Sequence, residues 1–360
     1  MRVLVLWADE GSSNLGVRAL AEGSAALVRS VWPQAEVDFQ QYGRGSAPMG
    51  IGSPRSLARE WVTGRHGLRT WLRSFDLIVD TRSGDSFADI YGVQRLLSMS
   101  VITELASRVG VPVVLGPQTI GPFKTVRARL IARRALRTAK LVLSRDADST
   151  KQAADLGRPA DLQTTDVVFA IPAPERHIVR DVVFNVSGLL WSPNPHVDSE
   201  SYRKTVQGLY EELTGQGRTV SLLAHVLDSP VADNDVPAIQ EFVRANGLDA
   251  EVLIPSSLTH VRELVASANV VVGSRMHACL NALSVGTPAI PLAYSRKFAP
   301  LLAGLGWDHT IDLRTHADPV SAAVEEVSSP GLAEQAGAVR DRAHASLVLA
   351  EDALRALVTT

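Results

Sequence analysis

The sequence predicts an α/β protein of two tandem domains, each a parallel sheet with crossover helices, sharing one cleft. Its 360 residues are too many for one compact sheet-and-helix domain and suit two. Short β-branched runs alternate with longer amphipathic stretches, which is the pattern of parallel sheets. The stretch Ala170–His177 contains two prolines and no periodicity, and the alternation restarts after it. We therefore expect a stiff linker between the domains.

The first half of the chain contains five candidate strands and four candidate helices. The strands are short and apolar: Arg2–Trp7, Glu36–Gln40, Asp76–Asp80, Val111–Leu115 and Lys140–Ser144. The helices have apolar residues at helical spacing: Gly16–Ser30, Leu57–Arg73, Gly92–Val109 and Val126–Ala139. These elements predict an N-terminal domain over residues 1–173.

The second half repeats the alternation. Its candidate strands are Asp181–Val186, Thr219–Ala224, Glu251–Ile254, Val270–Gly273 and Ala289–Leu292. Its candidate helices are Ser201–Gln216, Asp235–Asn246, His260–Ala268 and Met276–Val285. They predict a C-terminal domain over residues 178–330. Gly331–Leu357 has the apolar spacing of one long helix, so residues 331–360 should form a terminal helix.

Composition excludes several classes of protein. With 46% hydrophobic residues, 21% charged residues and a net charge of −2, the chain is neither disordered nor attracted as a whole to nucleic acid. Its one cysteine, Cys279, excludes a disulfide framework and a cysteine-based zinc site, and no other metal-ligand spacing is present. No apolar run is long enough to span a bilayer, and Met1–Trp7 is typical of a first strand rather than a signal peptide. We expect a cytoplasmic protein, either free or peripheral at the inner membrane face.

The ligand crevice of such sheets lies beyond the carboxyl ends of the strands, so the loops there carry the candidate site. After the first strand, a loop with Asn14 and Gly16 leads into a helix, which suits either an anion site or a tight turn capped by Asn14. After the third strand, Asp85 follows a glycine. Three roles suit it: an Asx-turn residue, a ligand of sugar hydroxyls or a base. After the fourth, two Gly-Pro pairs hold Gln118 in a rigid loop that suits a binding site or a connector.

Charged residues follow three further strands. Arg145 lies at the start of a helix whose first turn otherwise favours anions, so a bound anion would compensate its charge. His225 follows a strand of the second half, where it is either a capped loop residue or a base. Lys297 follows the last candidate strand and is expected to face the same cleft.

The segment 270–294 has the boundary signals of a strand, a turn, a helix and a second strand. Ser274 is the expected cap, which places Arg275 and His277 in the first turn of the helix, at the positive end of its dipole. That placement destabilises the helix by up to about 1 kcal/mol for each residue. A bound phosphate or carboxylate would make the same placement favourable. Arg275 would then grip the anion bidentately. Cys279 points to a different helix face from His277 and is expected to be a small buried residue.

These motifs together resemble the polysaccharide pyruvyl transferase family. They follow the family's order over residues 11–297: Gly11…Asn14-x-Gly16, Gly84-Asp85, Gly116-Pro-Gln-Thr-Ile-Gly121, Arg145-Asp-x-x-Ser149, Asn185-Val-Ser-Gly188, Gly273-Ser-Arg-Met-His277, Gly286-Thr-Pro288 and Tyr294-x-x-Lys297. The element around Arg275 and His277 is the most specific. The resemblance implies a metal-free fold similar to that of the GT-B glycosyltransferases, with two Rossmann-like domains whose parallel sheets face a cleft.

The resemblance also implies an activity. Members of the family transfer the pyruvyl group of phosphoenolpyruvate to a hydroxyl pair on a sugar, forming a cyclic ketal and releasing phosphate, with no cofactor besides this donor. The family binds phosphoenolpyruvate through residues that correspond here to Arg275, Met276 (by its backbone), His277 and Arg145. The C-terminal domain is then the donor side and the N-terminal domain the acceptor side.

The predicted mechanism has His277, or another acid, protonate the vinyl carbon while Asp85 or His225 deprotonates the acceptor. The other predicted substrate contacts are Asn14, Gly16, Gln118 and Lys297. The expected partners are phosphoenolpyruvate and a sugar acceptor, free or linked to a lipid, without nucleic acid or a membrane span; a homo-oligomer is compatible with the sequence. Two alternatives stay open: a GT-B glycosyltransferase with a nucleotide-sugar donor, and a non-catalytic protein that binds sugars or anions.

Overall fold

The computed structural model describes residues 1–228 and 233–358, which divide into two units. The first unit comprises Met1–Glu10, Leu20–Ile171 and the end of the chain from Ala343. The second comprises Gly11–Ala19 and Pro172–Arg342. The chain therefore leaves the first unit within the expected linker. The loop at residues 11–19, expected in the N-terminal domain, groups instead with the second unit.

The strands of the first unit are β1 (Arg2–Leu6), β2 (Glu36–Gln40), β3 (Leu77–Asp80), β4 (Val113–Gln118), β5 (Leu141–Ser144) and β6 (Leu162–Gln163). They form one sheet in the order β2-β1-β3-β4-β5-β6, and every pairing is parallel. All residues of β1 except the first are buried, as expected of an inner strand covered on both faces.

The helices between these strands are α1 (Leu15–Val31), α2 (Pro54–Thr63), α3 (Leu68–Arg73), α4 (Val93–Arg108), α5 (Val126–Thr138) and α6 (Ala147–Asp155). The single helix predicted over Leu57–Arg73 is wrong. Gly64 and Gly67 both adopt the left-handed conformation, with φ of 62° and 75°, and so end α2 and precede α3. Glycine tolerates this conformation because it has no Cβ.

The strands of the second unit are β7 (Arg180–Asn185), β8 (Val220–Leu223), β9 (Val252–Leu253), β10 (Ala268–Gly273), β11 (Ala289–Ala293) and β12 (Ile311–Asp312). They pair in parallel in the order β12-β11-β10-β7-β8-β9. The helices are α7 (Gly188–Trp191), α8 (Ser199–Gly215), α9 (Asp235–Asn246), α10 (Leu258–Ala266), α11 (Met276–Ser284), α12 (Phe298–Gly304), α13 (Pro319–Val327) and α14 (Leu332–Val358).

The predicted fold class is confirmed, since two parallel six-stranded sheets alternate with helices and a long helix ends the chain. The elements that the sequence analysis missed are short: β6 and β12 have two residues each and lie at sheet edges, and α7, α12 and α13 are brief helices. Within the described residues, no helix is long and apolar enough to cross a membrane.

Candidate functional site

Three strands of the second unit end level with one another and position the candidate site. Gly273 at the end of β10 is in register with Asn185 at the end of β7, and Asn185 is in register with Leu223 at the end of β8. The buried Asn185 ties these ends together, because its Nδ2 donates to Leu223 O at 2.9 Å and its Oδ1 accepts from Arg275 N at 2.9 Å. The segment that follows β10 is thereby fixed to β7.

The start of α11 differs from the prediction. Arg275, not Ser274, occupies the cap position, and no side chain accepts a hydrogen bond from the first turn of the helix. The Ser274 hydroxyl is engaged elsewhere, since the buried Tyr202 hydroxyl lies 2.8 Å from it and also accepts from Ser187 N at 2.9 Å. The amide groups at the start of α11 therefore have no side-chain cap.

Arg275 is the buried cation of this site. Its Nε and Nη2 donate to Asp235 Oδ1 at 3.1 and 2.7 Å, and Nη2 also pairs with Asp233. Burial alone would lower the Arg275 pKa, but the two carboxylates raise it above its ordinary value. The protein itself therefore supplies carboxylates beside a charge for which the sequence analysis expected a bound anion. Among the described residues, Arg275 Nη1 has no hydrogen-bond partner, so this nitrogen is available to a ligand.

Asp235, the first residue of α9, is an internal anion that the sequence analysis did not assign to the site. It is fully buried, and its carboxylate accepts from the amides of His225, Val226 and Gly188 at 2.8–2.9 Å as well as from Arg275. Burial alone would raise its pKa, but Arg275 and these hydrogen bonds lower the pKa of Asp235 below its usual value. The carboxylate stays ionised and holds Arg275 in place.

His277 is the accessible residue of the segment. From Val270 to Ala293 every other residue is buried, whereas His277 is half-buried. Its imidazole packs against α1 at Gly16, where a Cβ would lie 2.9 Å from His277 Nδ1. Only a residue without a side chain leaves room for the ring in this position.

The loop before α1 is held in the same unit. Asn14 forms an antiparallel bridge with Val226, and Leu15 N donates to His225 O at 3.2 Å. Asn14 Oδ1 accepts from Gly16 N at 2.9 Å, so the side chain acts as a helix cap, one of the two alternatives expected for this loop. Direct substrate contacts by Asn14 and Gly16 stay predictions.

His225 is almost completely buried and has a partner within the fold. Asn281 Nδ2 lies 3.1 Å from His225 Nε2 and also donates to His277 O at 2.8 Å. Burial, with the nearby His277 second, lowers the pKa of His225 to about 3. The ring is neutral at physiological pH and links α11 to the end of β8. Its predicted role as acceptor base stays a prediction.

The first unit contains a second buried arginine at a helix start. Arg145 donates from Nη1 to Asp166 Oδ2 at 2.8 Å and from Nε to Thr119 Oγ1 at 2.9 Å. Asp166 therefore compensates a charge for which a bound anion was expected. The following helix, α6, is capped by Asp146, whose Oδ1 accepts from Ser149 N at 2.7 Å. The predicted contact of Arg145 with phosphoenolpyruvate is not tested by this geometry.

Two other predicted residues lie in the first unit. Gln118 ends β4, is fully buried, and neither atom of its side-chain amide has a hydrogen-bond partner among the described residues. Asp85 is half-buried and accepts from the Tyr91 hydroxyl at 2.7 Å. It follows the left-handed turn Arg82–Gly84, with φ of 48°, 52° and 79°. Both remain candidates for binding or proton transfer.

The remaining predicted residues lie in the second unit. Met276 is the buried first residue of α11, and Lys297 precedes α12. Cys279 is confirmed as a buried packing residue: its thiol lies 3.4 Å from Gly273 O, and burial raises its pKa. The described residues contain no group of three or more His, Cys, Asp or Glu side chains that could hold a metal ion. The second unit thus brings together seven of the ten predicted residues: Asn14, Gly16, His225, Arg275, Met276, His277 and Lys297.

Comparison with solved structures shows the fold. The UDP-GlcNAc 2-epimerase of Neisseria meningitidis is 11% identical, with a TM-score of 0.59 over 99% of this chain and 100% of that one. A putative UDP-N-acetylglucosamine 2-epimerase of Listeria monocytogenes is 9% identical, with a TM-score of 0.58 over 95% and 91%. The spinosyn rhamnosyltransferase is 15% identical, with a TM-score of 0.52 over the whole of both chains. The GT-B-like fold class is therefore confirmed.

Sequence comparison is more specific. No curated protein matches the chain. The family model described as polysaccharide pyruvyl transferase matches residues 17–296, which is well over half of the chain and includes Arg145, Arg275 and His277. The resemblance predicted from the motifs is confirmed, and the chain belongs to the polysaccharide pyruvyl transferase family.

Proposed function

We propose that this chain transfers the pyruvyl group of phosphoenolpyruvate to two hydroxyls of a sugar in a glycan or glycolipid precursor, forming a ketal and releasing phosphate. Family membership supports the reaction class. The observation that carries the proposal is the half-buried His277 beside the buried Arg275, at a helix start that no side chain caps. This combination offers an anion site and a proton donor within two residues.

Phosphoenolpyruvate needs more positive charge than Arg275 alone supplies, because Asp233 and Asp235 already neutralise that residue. The uncapped amides of α11 donate to anions and lie at the positive end of the helix dipole. Arg275 Nη1 adds a charged donor, and Lys297 is the further cation that we propose for the site. A phosphate bound there would lie beside His277, the residue that we propose as the proton donor.

The reaction then proceeds in three balanced steps. His277 transfers its proton to C3 of phosphoenolpyruvate, the vinyl carbon becomes a methyl group, and C2 becomes an oxocarbenium-like centre. A sugar hydroxyl adds to C2 and loses its proton, which restores the acid. The C2–O bond to phosphate breaks, a second hydroxyl closes the ring at C2, and its proton leaves with phosphate. The two hydroxyl protons thus account for the new methyl hydrogen and the proton on phosphate.

The direct test is phosphate release from phosphoenolpyruvate across a panel of glycosyl acceptors, with the acceptor's mass measured in parallel. We expect release with at least one acceptor and a matching pyruvyl ketal. His277→Gln should lower kcat by roughly 10²–10⁴, the range for loss of a general acid, without altering the unfolding transition, because the side chain is half-exposed. Normal turnover by His277→Gln would contradict the assignment of the acid.

A parallel arm tests glycosyl transfer. The Neisseria epimerase was solved bound to UDP-GlcNAc, and the spinosyn enzyme is a rhamnosyltransferase, so nucleotide-sugar chemistry occurs on this fold. Incubation with UDP-GlcNAc and the same acceptors would release a nucleotide if this chain were a glycosyltransferase. Nucleotide release together with inert phosphoenolpyruvate would replace the proposal, whereas binding of sugars or anions without either product would indicate a non-catalytic protein.

A further inference from the structure

The second unit contains a cavity that the proposed donor site does not use. It has a volume of about 600 Å³ and lies between the segment before α8, the first turns of α8 and the segment between β12 and α13. Ligand pockets are typically about 300–1,000 Å³, so the cavity is large enough for a small molecule or part of a larger one. Every residue that lines it belongs to the second unit.

The cavity adjoins the donor site through two of its lining residues. The side chain of Tyr202 reaches Ser274, the neighbour of Arg275 in sequence, through its hydroxyl. The His196 ring, on another part of the wall, lies 5.1 Å from the ring of Tyr294, which follows β11. A ligand in the cavity would therefore be a neighbour of one bound at the start of α11.

The charges around the cavity are balanced. Lys204 pairs with Glu200 at 2.9 Å, and Arg314 Nε donates to Asp312 at 2.8 Å. Each cation therefore already has an anion of the protein beside it. Such a surface offers little gain to an anionic ligand and suits a neutral polar one.

The other lining groups match the hydroxyls and C–H faces of a sugar. The hydroxyls of Ser201 and Thr205 donate to Asp198 and to Ser201 O, which leaves their oxygens as acceptors for sugar hydroxyls. The imidazole of His196 adds ring nitrogens that donate or accept. Burial, with nearby Lys297 second, lowers the pKa of His196, which favours its neutral form. The apolar part of the wall consists of Val197, Leu313 and Pro319. These short apolar surfaces suit the C–H face of a pyranose ring.

We propose that this cavity binds a sugar unit of the acceptor glycan, adjacent to the unit that receives the pyruvyl group. The inference rests on the proposed function, and it assigns part of acceptor recognition to the second unit. The sequence analysis had placed the acceptor wholly on the N-terminal side. A subsite of this kind would make the protein select glycans by length rather than by the reacting sugar alone.

The experiment compares mono-, di- and trisaccharides, first as immobilised probes without phosphoenolpyruvate and then as acceptors in the phosphate-release assay. Ala317→Trp should fill the cavity, and His196→Ala should remove one ring of its wall. Both residues are exposed, so folding should be retained. We expect each variant to weaken binding of di- or trisaccharides at least tenfold, and to raise KM for them similarly. Monosaccharide KM and phosphoenolpyruvate affinity should not change. His344→Ala, an exposed histidine of α14, is the matched control.

The outcomes separate the two proposals. The sugar subsite is overturned if the variants change the KM of mono-, di- and trisaccharides equally, or change none of them. It is also overturned if the wild-type protein binds none of the glycan probes. Competition by inorganic pyrophosphate, lost in Ala317→Trp, would identify an anion site and also overturn it. Length-dependent glycan binding without any pyruvyl transfer supports the cavity assignment and overturns only the proposed reaction.

Discussion

Both units bury an arginine immediately after a strand, and the two sites differ in what surrounds the guanidinium. Arg145 is 2% exposed and Arg275 is 6% exposed, and each is paired with carboxylates of its own unit. The helix that follows Arg145 is capped by Asp146, whereas the helix that starts at Arg275 has no side-chain cap. The first turn after Arg145 contains an exposed anion, Asp148, whereas the first turn after Arg275 contains the half-buried His277.

The difference shows which feature of such a site indicates a ligand. An arginine at a helix start is compensated internally in both units, so its charge alone does not imply a bound anion. An uncapped helix start alone does not imply one either, because α3 and α4 also begin without a side-chain cap. The second site differs in combining uncapped amides, which require an acceptor, with a buried arginine and His277. On this combination we propose the donor site in the second unit and a structural role for the Arg145–Asp166 pair, although Gln118 leaves the first unit with a buried amide that has no partner among the described residues.

The largest expected effect comes from exchanging each arginine for lysine. Arg275→Lys keeps the charge but loses Nη1 and the planar contact with Asp235, so KM for phosphoenolpyruvate should rise roughly 10–100-fold, about 1.4–2.7 kcal/mol. Arg145→Lys should lower the free energy of unfolding by about 1–2 kcal/mol through its weaker contacts, and leave that KM unchanged. Steady-state kinetics and urea unfolding measure both.

The family resemblance implies that Arg145 also binds phosphoenolpyruvate, and the same pair of variants decides between the two views. An equal rise of KM in Arg145→Lys and Arg275→Lys would show that both arginines bind the donor. Arg145 would then be a ligand-binding residue rather than only a structural partner of Asp166.

The next effect concerns pH, since only the second site contains a buried histidine. The pKa of His225 is about 3 in the folded protein and near its ordinary value of 6.5 when unfolded. Between these values the unfolded chain binds the extra proton, so His225 should lower stability as pH falls below 6.5, by roughly 1.4 kcal/mol per pH unit.

His225→Gln is the control for this pH dependence, because glutamine still offers an oxygen to Asn281 but does not titrate. Urea unfolding at pH 7, 6 and 5 should give a steeper decline for the wild type than for the variant. Parallel curves would show that His225 does not remain neutral in the folded state.

A smaller effect should follow from adding one methyl group at Gly16. In Gly16→Ala the new Cβ would lie within 2.9 Å of His277 Nδ1, so the imidazole must shift by a few tenths of an ångström. We expect kcat to fall about tenfold with little change in KM, as for a displaced catalytic group. Gly337→Ala in α14 is the matched control, because nothing lies within 4 Å of its Cβ position, and it should leave kcat unchanged. Equal effects of the two variants would remove Gly16 from the positioning of His277.

Much of this fold was accessible from sequence because its elements are periodic and their boundaries are chemically marked. Helix α9 was predicted with both ends correct, since Asn234 caps it and Gly247 ends it in the left-handed conformation. The two-residue strands β6 and β12 have no measurable period and were missed, whereas β9, equally short, was predicted within the run Glu251–Ile254. The break between α2 and α3 was missed because glycines inside an apolar pattern weaken a helix without identifying where it ends.

The site was only partly accessible for a different reason. Arg275 and His277 were identified from their place at a helix start, which is local information. Their partners are not local: Asp235 is 40 residues from Arg275, and the contact of Gly16 with His277 joins opposite ends of the second unit's sequence. Contacts between residues far apart in sequence therefore decide whether a charge is compensated. The spacing of residues along the chain does not predict these contacts.

The smallest expected effect tests the cap that distinguishes the two sites. Asp146→Ala removes the acceptor for Ser149 N and should lower the free energy of unfolding by about 1 kcal/mol, while Asp146→Asn keeps an oxygen there and should cost only a few tenths. Neither change should alter KM for phosphoenolpyruvate, which calorimetry and kinetics can check. Ser274→Ala is the corresponding variant in the second unit. Because α11 has no side-chain cap to lose, this change should cause no loss of stability from capping. Ser274→Ala could instead lower the free energy of unfolding by about 1 kcal/mol, also in a protein that carries Tyr202→Phe. That result would mean that Ser274 caps α11 and that the amides of α11 are not the anion site.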